Sequence, residues 1–389
     1  MTRKKILSIS LLLFFASTIC SAQKLSYDES RAYTKAKIAE RSSMYDAKYS
    51  NEWDARILTN GSHKMKFSYT IFGDMPQDGR SLYISMHGGG NTSEEANTKQ
   101  WNNQKKLYAP AEGVYLTPKS PTNSWNMWHQ EYMDGFIEKL ITLAIIKENV
   151  NPNKVYIMGY SAGGDGTYQL APRLAELWAG AAMSAGHPGD AQIENLRNLP
   201  FGLYMGGKDK PYKRNDLARE WGDKFKQLQQ NDAEGYAHDV KIFETCGHWM
   251  ELKDSVSFSW MSKHKRNATP TKVIWIQDDV VRDHAYWIEG GANSNNSGLK
   301  IVASYNKAKN SISIDETTHK SVIISLNDEM LKLDKRVKIY LFGKQIFSKK
   351  VPRTKKNIDK DVNNMRDEYL VFPSRILVDI ENGTATVIK

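Results

Sequence analysis

Cysteine is nearly absent: the 389 residues contain two, and Cys20 falls at the end of an N-terminal apolar run. Only Cys246 is left for a folded body beyond that run, which excludes an internal disulfide and a cysteine-rich metal centre. Long apolar stretches are equally scarce. After residues 6–19 nothing approaches the roughly 20 residues a spanning helix needs, so no stable membrane insertion is expected. No glycine loop runs into Gly-Lys-[Ser/Thr], so a Walker phosphate cradle is excluded. Internal repeats and low-complexity tracts are missing too. A concentrated basic surface is also lacking. Residues 23–264 hold 29 basic and 29 acidic side chains, and residues 265–389 hold 22 and 15, the surplus being spread among acids. That pattern argues against a nucleic-acid partner. Asp165, Asp278 and Asp279 have no histidine or carboxylate partners at ligand spacing, and helix-start or turn roles account for them. No metal and no cofactor are expected.

What is present is a chain 40% hydrophobic and 25% charged, long enough for one large domain and a smaller one. Arg3, Lys4 and Lys5 precede the apolar run, and Cys20-Ser21-Ala22 follows it. This is the pattern of a secretory signal peptide over residues 1–22, cleaved after Ala22, which places the mature protein in the periplasm or outside the cell. Ile19 stands where a lipoprotein signal would carry a small residue. Residues 23–64 read as a polar helical leader packed on the main domain.

From 65 to 264 short β-rich runs alternate with helical segments. The runs are 81–86, 113–117, 154–158, 179–184, 201–205 and 240–244; the helical segments include 133–148, 165–177 and 216–231. Such alternation implies right-handed crossovers and a mostly parallel sheet covered on both faces, an α/β domain. Past Ser262 the pattern turns to short β-branched or aromatic runs separated by Asn, Gly, Lys and Asp turns, with Gly343-Lys344 as a hairpin tip. A mainly β domain is therefore expected over 265–389. The join near Asn267 lacks a Gly/Ser or Pro/Thr tract, so rigid docking is expected, with Trp260, Trp275 and Trp287 stitching the two parts.

The strongest local signal is Gly159-Tyr160-Ser161-Ala162-Gly163, lying between a β-run and a helix. An ordinary glycine-rich turn uses the same letters, but the strand before and the helix after make it a nucleophile elbow, with Ser161 lifted clear of the backbone. Upstream, a β-run ends in His87-Gly88-Gly89-Gly90. Glycines there let backbone amides approach a substrate oxygen, so Gly89 and Ala162 are candidate oxyanion donors, with Gly90 as a third. His87 reads as a brace for that loop. His248 follows the last run of the sheet and Asp209 the penultimate one, both at the carboxyl edge where Ser161 lies. Asp190 and Asp216 are weaker candidates for the acid, the first because it follows a different strand and the second because it reads as an N-cap. Cys246 is a small buried residue rather than a nucleophile. The loop 120–129 should overhang the site, and Trp125, Trp128 and His129 could either contact substrate or pack the loop down.

From about residue 80 to 262 the chain resembles the α/β-hydrolase superfamily, in particular secreted polyhydroxybutyrate-depolymerase-like and feruloyl or acetyl esterase-like serine hydrolases. Four elements carry the resemblance: 87–90, 159–163, Asp209 and His248. It implies a Ser161 nucleophile, a His248 general base, an orienting Asp209, and an oxyanion hole made by the glycine loop and Ala162. The implied reaction is hydrolysis of a carboxylic ester, polymeric or carbohydrate-linked, through an acyl-enzyme. The acyl and alcohol groups stay open, since this fold hosts esterases, lipases and peptidases alike. A serine peptidase of the same fold and an exported, non-catalytic glycan- or polymer-binding protein are the rival readings. The C-terminal region has no counterpart in the minimal fold.

Overall fold

A computed structural model describes residues 24–388 except 293 and 295. The segment read as a signal peptide lies outside them. A polar helix comes first, α1 (Tyr27–Asp54), whose Ser26 and Glu29 form a reciprocal capping box. Only Ser30 and Trp53 of α1 are buried, and the helix packs through partly buried side chains, Tyr45 and Tyr49 with Trp53 on the main core and Tyr33 and Ile38 on a small cluster with residues 358 and 362.

The large sheet contains β1 (Ile57–Asn60), β2 (His63–Phe72), β3 (Arg80–Met86), β4 (Gly113–Pro118), β5 (Val150–Tyr160), β6 (Gly180–Ser184), β7 (Phe201–Gly206) and β8 (His238–Phe243). Their spatial order is β1-β2-β4-β3-β5-β6-β7-β8. β1 and β2 run antiparallel at one edge and the remaining six are parallel. This is the α/β-hydrolase arrangement. Every residue of β4, β6 and β7 is buried, as strands covered on both faces require. The helices of this part are α2 (Glu94–Gln104), α3 (Tyr132–Glu148), α4 (Ala162–Arg173), α5 (Arg214–Asn231) and α6 (Val256–Met261). α3 buries Met133, Phe136, Ile137, Leu140, Leu143 and Ala144 and ends at Asn149, whose left-handed conformation closes the helix.

Two details differ from the sequence reading. β1 and the start of β2 lie inside the stretch read as a helical leader. The helix after Ser161 starts at Ala162 and is continued past Arg173 only by a short 3-10 turn, Ala175–Leu177.

The C-terminal region forms two five-stranded sheets. Its elements are β9 (Lys272–Ile276), β10 (His284–Ala285), β11 (Ile288–Gly290), β12 (Lys300–Asn306), β13 (Ser311–Thr317), β14 (Ser321–Leu326), β15 (Val337–Leu341), β16 (Lys344–Lys349), α7 (Lys355–Asn363), β17 (Ser374–Asp379) and β18 (Thr384–Ile388). The sheet orders are β10-β11-β14-β17-β18 and β16-β15-β13-β12-β9, antiparallel except for the β13–β15 pair. The β15–β16 hairpin turns one residue earlier than expected, on Phe342-Gly343, both at positive φ.

The two parts share a continuous apolar core. Trp275 stacks on His319 and Trp287 meets Tyr305 edge-on, so the named ring partners of these indoles lie within the C-terminal region. Polar contacts cross the boundary instead. Asn195 exchanges two hydrogen bonds with the backbone of Ile276, at 2.9 and 2.8 Å. Arg282 reaches Glu138 at 2.9 Å, and the Tyr286 hydroxyl donates to the Ala175 carbonyl. At the other end α1 meets α7: the Tyr33 hydroxyl donates to Asp359, and the Arg41 guanidinium to the carbonyl of Arg366.

Candidate active site

Ser161 sits on the turn between β5 and α4 with φ 58° and ψ −122°, a conformation that side-chain-bearing residues rarely adopt. The flanking glycines explain how the turn closes. A Cβ on Gly159 would lie 2.0 Å from the Gly163 carbonyl oxygen, and one on Gly163 would lie 2.1 Å from the carbonyl oxygen of Met86. Any larger residue would push the elbow off the end of β3. The Ser161 amide donates to Ser184 O at 2.9 Å, which fixes the turn to β6.

The loop after β8 brings His248 to this serine. Its Nε2 lies 2.9 Å from Ser161 Oγ, and its Nδ1 lies 2.7 Å from Asp209 Oδ2. Asp209 is buried, and its other carboxylate oxygen has no hydrogen-bond partner among the described residues. With Nδ1–H donating to the carboxylate, Nε2 presents its lone pair to the hydroxyl, the tautomer that a general base needs. Asp190 and Asp216 are not in this line. Asp190 accepts from Gln169, and Asp216 lies in the first turn of α5, whose N-cap position is Lys213.

The glycine loop after β3 is braced as the sequence implied. The buried His87 ring donates through Nδ1 to Gly88 O at 2.6 Å and accepts through Nε2 from Ser120 N at 3.1 Å. Burial, with Lys119 nearby, pushes its imidazole down to about 4. Gly89 and Gly90 have φ of 111° and 80°, in the region open to glycine. Gly90 is not a free donor: its amide is spent on Asn97 Oδ1 at 2.9 Å. The amides of Gly88, Gly89 and Ala162 carry no hydrogen bond among the described residues, and Gly88 and Gly89 line the cavity with Ser161. Gly88 and Gly89, rather than Gly90, thus present the unspent amides of this loop beside Ser161. Only the direction of the loop, which the sequence does not reveal, distinguishes them from Gly90.

His87 yields a prediction with a worked sign. Its folded value lies below the ordinary 6.5, so between pH 6.5 and about 4 the unfolded chain takes up a proton that the folded one refuses. Stability is complete above that window and falls by roughly 3 kcal/mol as the pH drops through it. Urea unfolding at pH 7 and pH 4.5 measures the loss. His87→Gln, which keeps a donor and an acceptor, should remove this part of the slope, and an unchanged slope would refute the assignment.

The cavity at the serine has a volume of about 430 Å³ and is lined by Gly88, Gly89, Gln100, Asn103, Gln104, Leu107, Tyr160, Ser161, His248 and Trp249. No carboxylate, ammonium or guanidinium belongs to that lining. Trp249, Gln100 and Asn103 escaped the sequence reading: α2 has no apolar period, and its buried residues are Asn97 and Gln104. Of the loop residues read as substrate contacts, Trp128 is wholly buried and its indole N–H donates to the His87 carbonyl at 3.0 Å. It packs the loop down instead of meeting a ligand. His129 faces Trp125 edge-on, its carbonyl accepts from Arg173, and burial pushes its imidazole down to about 4. Neither ring lines the cavity. Trp125 is 66% exposed, its backbone lying against Gly90, and it alone of the three is open to a ligand.

Cys246 is buried as expected, with Lys253 Nζ 3.2 Å from its sulfur. Asp165 accepts the His187 amide at 2.6 Å, and burial pushes its carboxyl up to about 6. Asp190, Asp278 and Asp279 bring carboxylate oxygens within 4.8 Å of one another, so the last two do have an acidic neighbour that sequence distance hid. Asp278 also lies 4.0 Å from the Arg173 guanidinium and accepts the Asp279 amide.

No family model matches the chain, and no curated protein matches it. Solved structures do. A structure titled ferulic acid esterase aligns with 53% of this chain and 96% of its own at 14% identity, with a TM-score of 0.38. Thermogutta terrifontis esterase 2 aligns with 53% of this chain and 88% of its own at 14% identity and a TM-score of 0.37. An alpha-beta serine hydrolase homologue from Coxiella burnetii aligns with 53% of this chain and 94% of its own at 8% identity and a TM-score of 0.38.

Proposed function

We propose that this protein is a serine hydrolase that cleaves carboxylic esters through an acyl-enzyme. The observation that carries the reading is the unbroken line from Ser161 Oγ through the His248 ring to the buried Asp209 carboxylate, at 2.9 and 2.7 Å, at the mouth of an uncharged cavity. His248 Nε2 takes the hydroxyl proton as Ser161 Oγ attacks the ester carbonyl carbon. The carbonyl oxygen becomes an oxyanion held by the amides of Ala162 and of Gly88 or Gly89, with the N-terminus of α4 adding its positive end. The imidazolium, steadied by Asp209, then returns the proton to the leaving alkoxide. Water repeats the sequence on the acyl-enzyme and releases the acid.

The lining favours a neutral substrate. Gln100 and Asn103 offer side-chain amides with no protein partner among the described residues, and Trp249 and Leu107 offer apolar wall. Such a mixture suits a hydroxylated or aryl group and gives nothing to neutralise a charged one. The N-terminal signal pattern supports export of the enzyme.

A fluorophosphonate probe should label the wild type at Ser161, and neutral acetyl, butyryl, feruloyl or hydroxybutyrate esters should turn over at least tenfold faster than anionic esters and peptide anilides. Labelling without ester turnover but with anilide cleavage would favour a peptidase; neither labelling nor turnover would favour a binding protein on a hydrolase scaffold.

A further inference from the structure

The loop that carries His248 is thinly held. Among the described residues, the backbone of residues 247–250 is hydrogen-bonded only where Met250 O accepts the Lys253 amide at 3.0 Å and through one side chain, that of Tyr160. Its hydroxyl donates to the His248 carbonyl at 2.7 Å and accepts the Met250 amide at 2.9 Å. Burial holds the phenol above its ordinary range, so the proton needed for that donation stays in place. The same ring meets the His248 imidazole edge-on, with centroids 6.1 Å apart, and leans on Trp249 at 5.7 Å. Tyr160 immediately precedes Ser161 in the chain, so a single rigid residue at the end of β5 ties the serine's strand to the histidine's loop.

We propose that Tyr160 is the positioning residue that sets the Ser161–His248 distance, by clasping the backbone on both sides of Trp249. This rests on the serine-hydrolase reading above. His248 is 43% exposed at its side chain; Asp209 fixes its ring, while the Tyr160 hydroxyl fixes its backbone to the strand of Ser161. Loss of the clasp lets the loop drift relative to the strand, and displacements near 1 Å in a reacting pair cost on the order of a hundredfold in rate. Tyr160 itself lines the cavity, but phenylalanine keeps its ring there and the hydroxyl it loses is turned to the loop backbone, so binding changes little.

The test is Tyr160→Phe, which keeps the ring and removes the hydroxyl. Expected is a 10- to 100-fold fall in kcat per active site titrated with fluorophosphonate, KM within about twofold, and labelling slowed by the same factor as kcat. Because Tyr160 acts through His248, the substitution should have no further effect on residual turnover in a His248→Ala background. Replacing Tyr160 with 4-aminophenylalanine, which restores a donor and acceptor, should recover most of kcat, whereas 4-fluorophenylalanine should not. Unchanged kcat with a lowered Tm would overturn the proposal, as would an equal loss with and without His248. If Tyr160→Phe does not fold, the comparison of the amino and fluoro analogues decides alone, and equal kcat in the two refutes the clasp. Full turnover by His248→Ala or Ser161→Ala would instead overturn the hydrolase reading itself.

Discussion

Ser161→Ala should lower ester turnover by roughly 10⁴- to 10⁶-fold, the range seen when a triad nucleophile is removed and only the binding site and oxyanion donors are left. The fold should survive. Among the described residues, the only hydrogen bond of Ser161 Oγ is to His248 Nε2, and alanine keeps the Cβ that already occupies the positive-φ turn, so no new steric cost appears. The midpoint of urea unfolding should move little while fluorophosphonate labelling disappears. Turnover close to wild type in a variant shown by mass to carry alanine would remove Ser161 from the mechanism.

Truncation after His264 should have the other large effect, on stability. It would strip β9 from the turn at residues 193–198, removing the paired Asn195–Ile276 bonds and the carbonyl of Lys272 that Arg197 and Asn198 use. It would remove Arg266, which bonds Asn153 and the Glu176 carbonyl, and Arg282, which pairs with Glu138 and Asp134. It would also expose apolar side chains of the shared core. Several such losses together exceed the margin by which a domain of this size is stable. The truncated protein should be insoluble or melt at least 10 °C lower, each kcal/mol being worth about 2–4 °C at this size. If it melts where the full chain does and loses only adsorption to an insoluble polymer, the C-terminal region is a binding module.

How much could be read in advance follows from where the information lies. Strands packed in the middle of a covered sheet write β-rich, apolar runs into the chain, so all six parallel strands and the elbow between β5 and α4 were legible, and His248 and Asp209 followed from the rule that parallel strands end at one edge. Two elements were not. The antiparallel pair β1–β2 is half exposed, with β1 and the start of β2 hidden in a polar leader, and α2 buries Asn97 and Gln104 rather than an apolar stripe. Asn97 matters because it takes the Gly90 amide, which no periodicity reveals. Trp128 shows the converse problem. An indole in a loop beside a site reads as a ligand contact, and only the hydrogen bond to His87 O shows it to be internal scaffolding. Tyr160 was passed over because, within Gly-x-Ser-x-Gly, its position is an unspecified letter.

The contact between the first and last helices has a consequence for how the chain is made. α1 leaves the ribosome before any other described element, yet Tyr33 and Arg41 find Asp359 and Arg366 about 320 residues later, and the bridge from Leu25 to Arg353 spans a similar distance. A helix this polar has little reason to hold its shape alone. Its C-terminal half can settle early on α3 through Glu52–Lys139 and Asp46–Lys147, but Tyr33 and Arg41 lack their partners until α7 has been made, and the loop closed then is a long one. The N-terminal half of the first helix should therefore dock last, so that a chain stalled anywhere before residue 350 would present the quality-control machinery with an unlatched end.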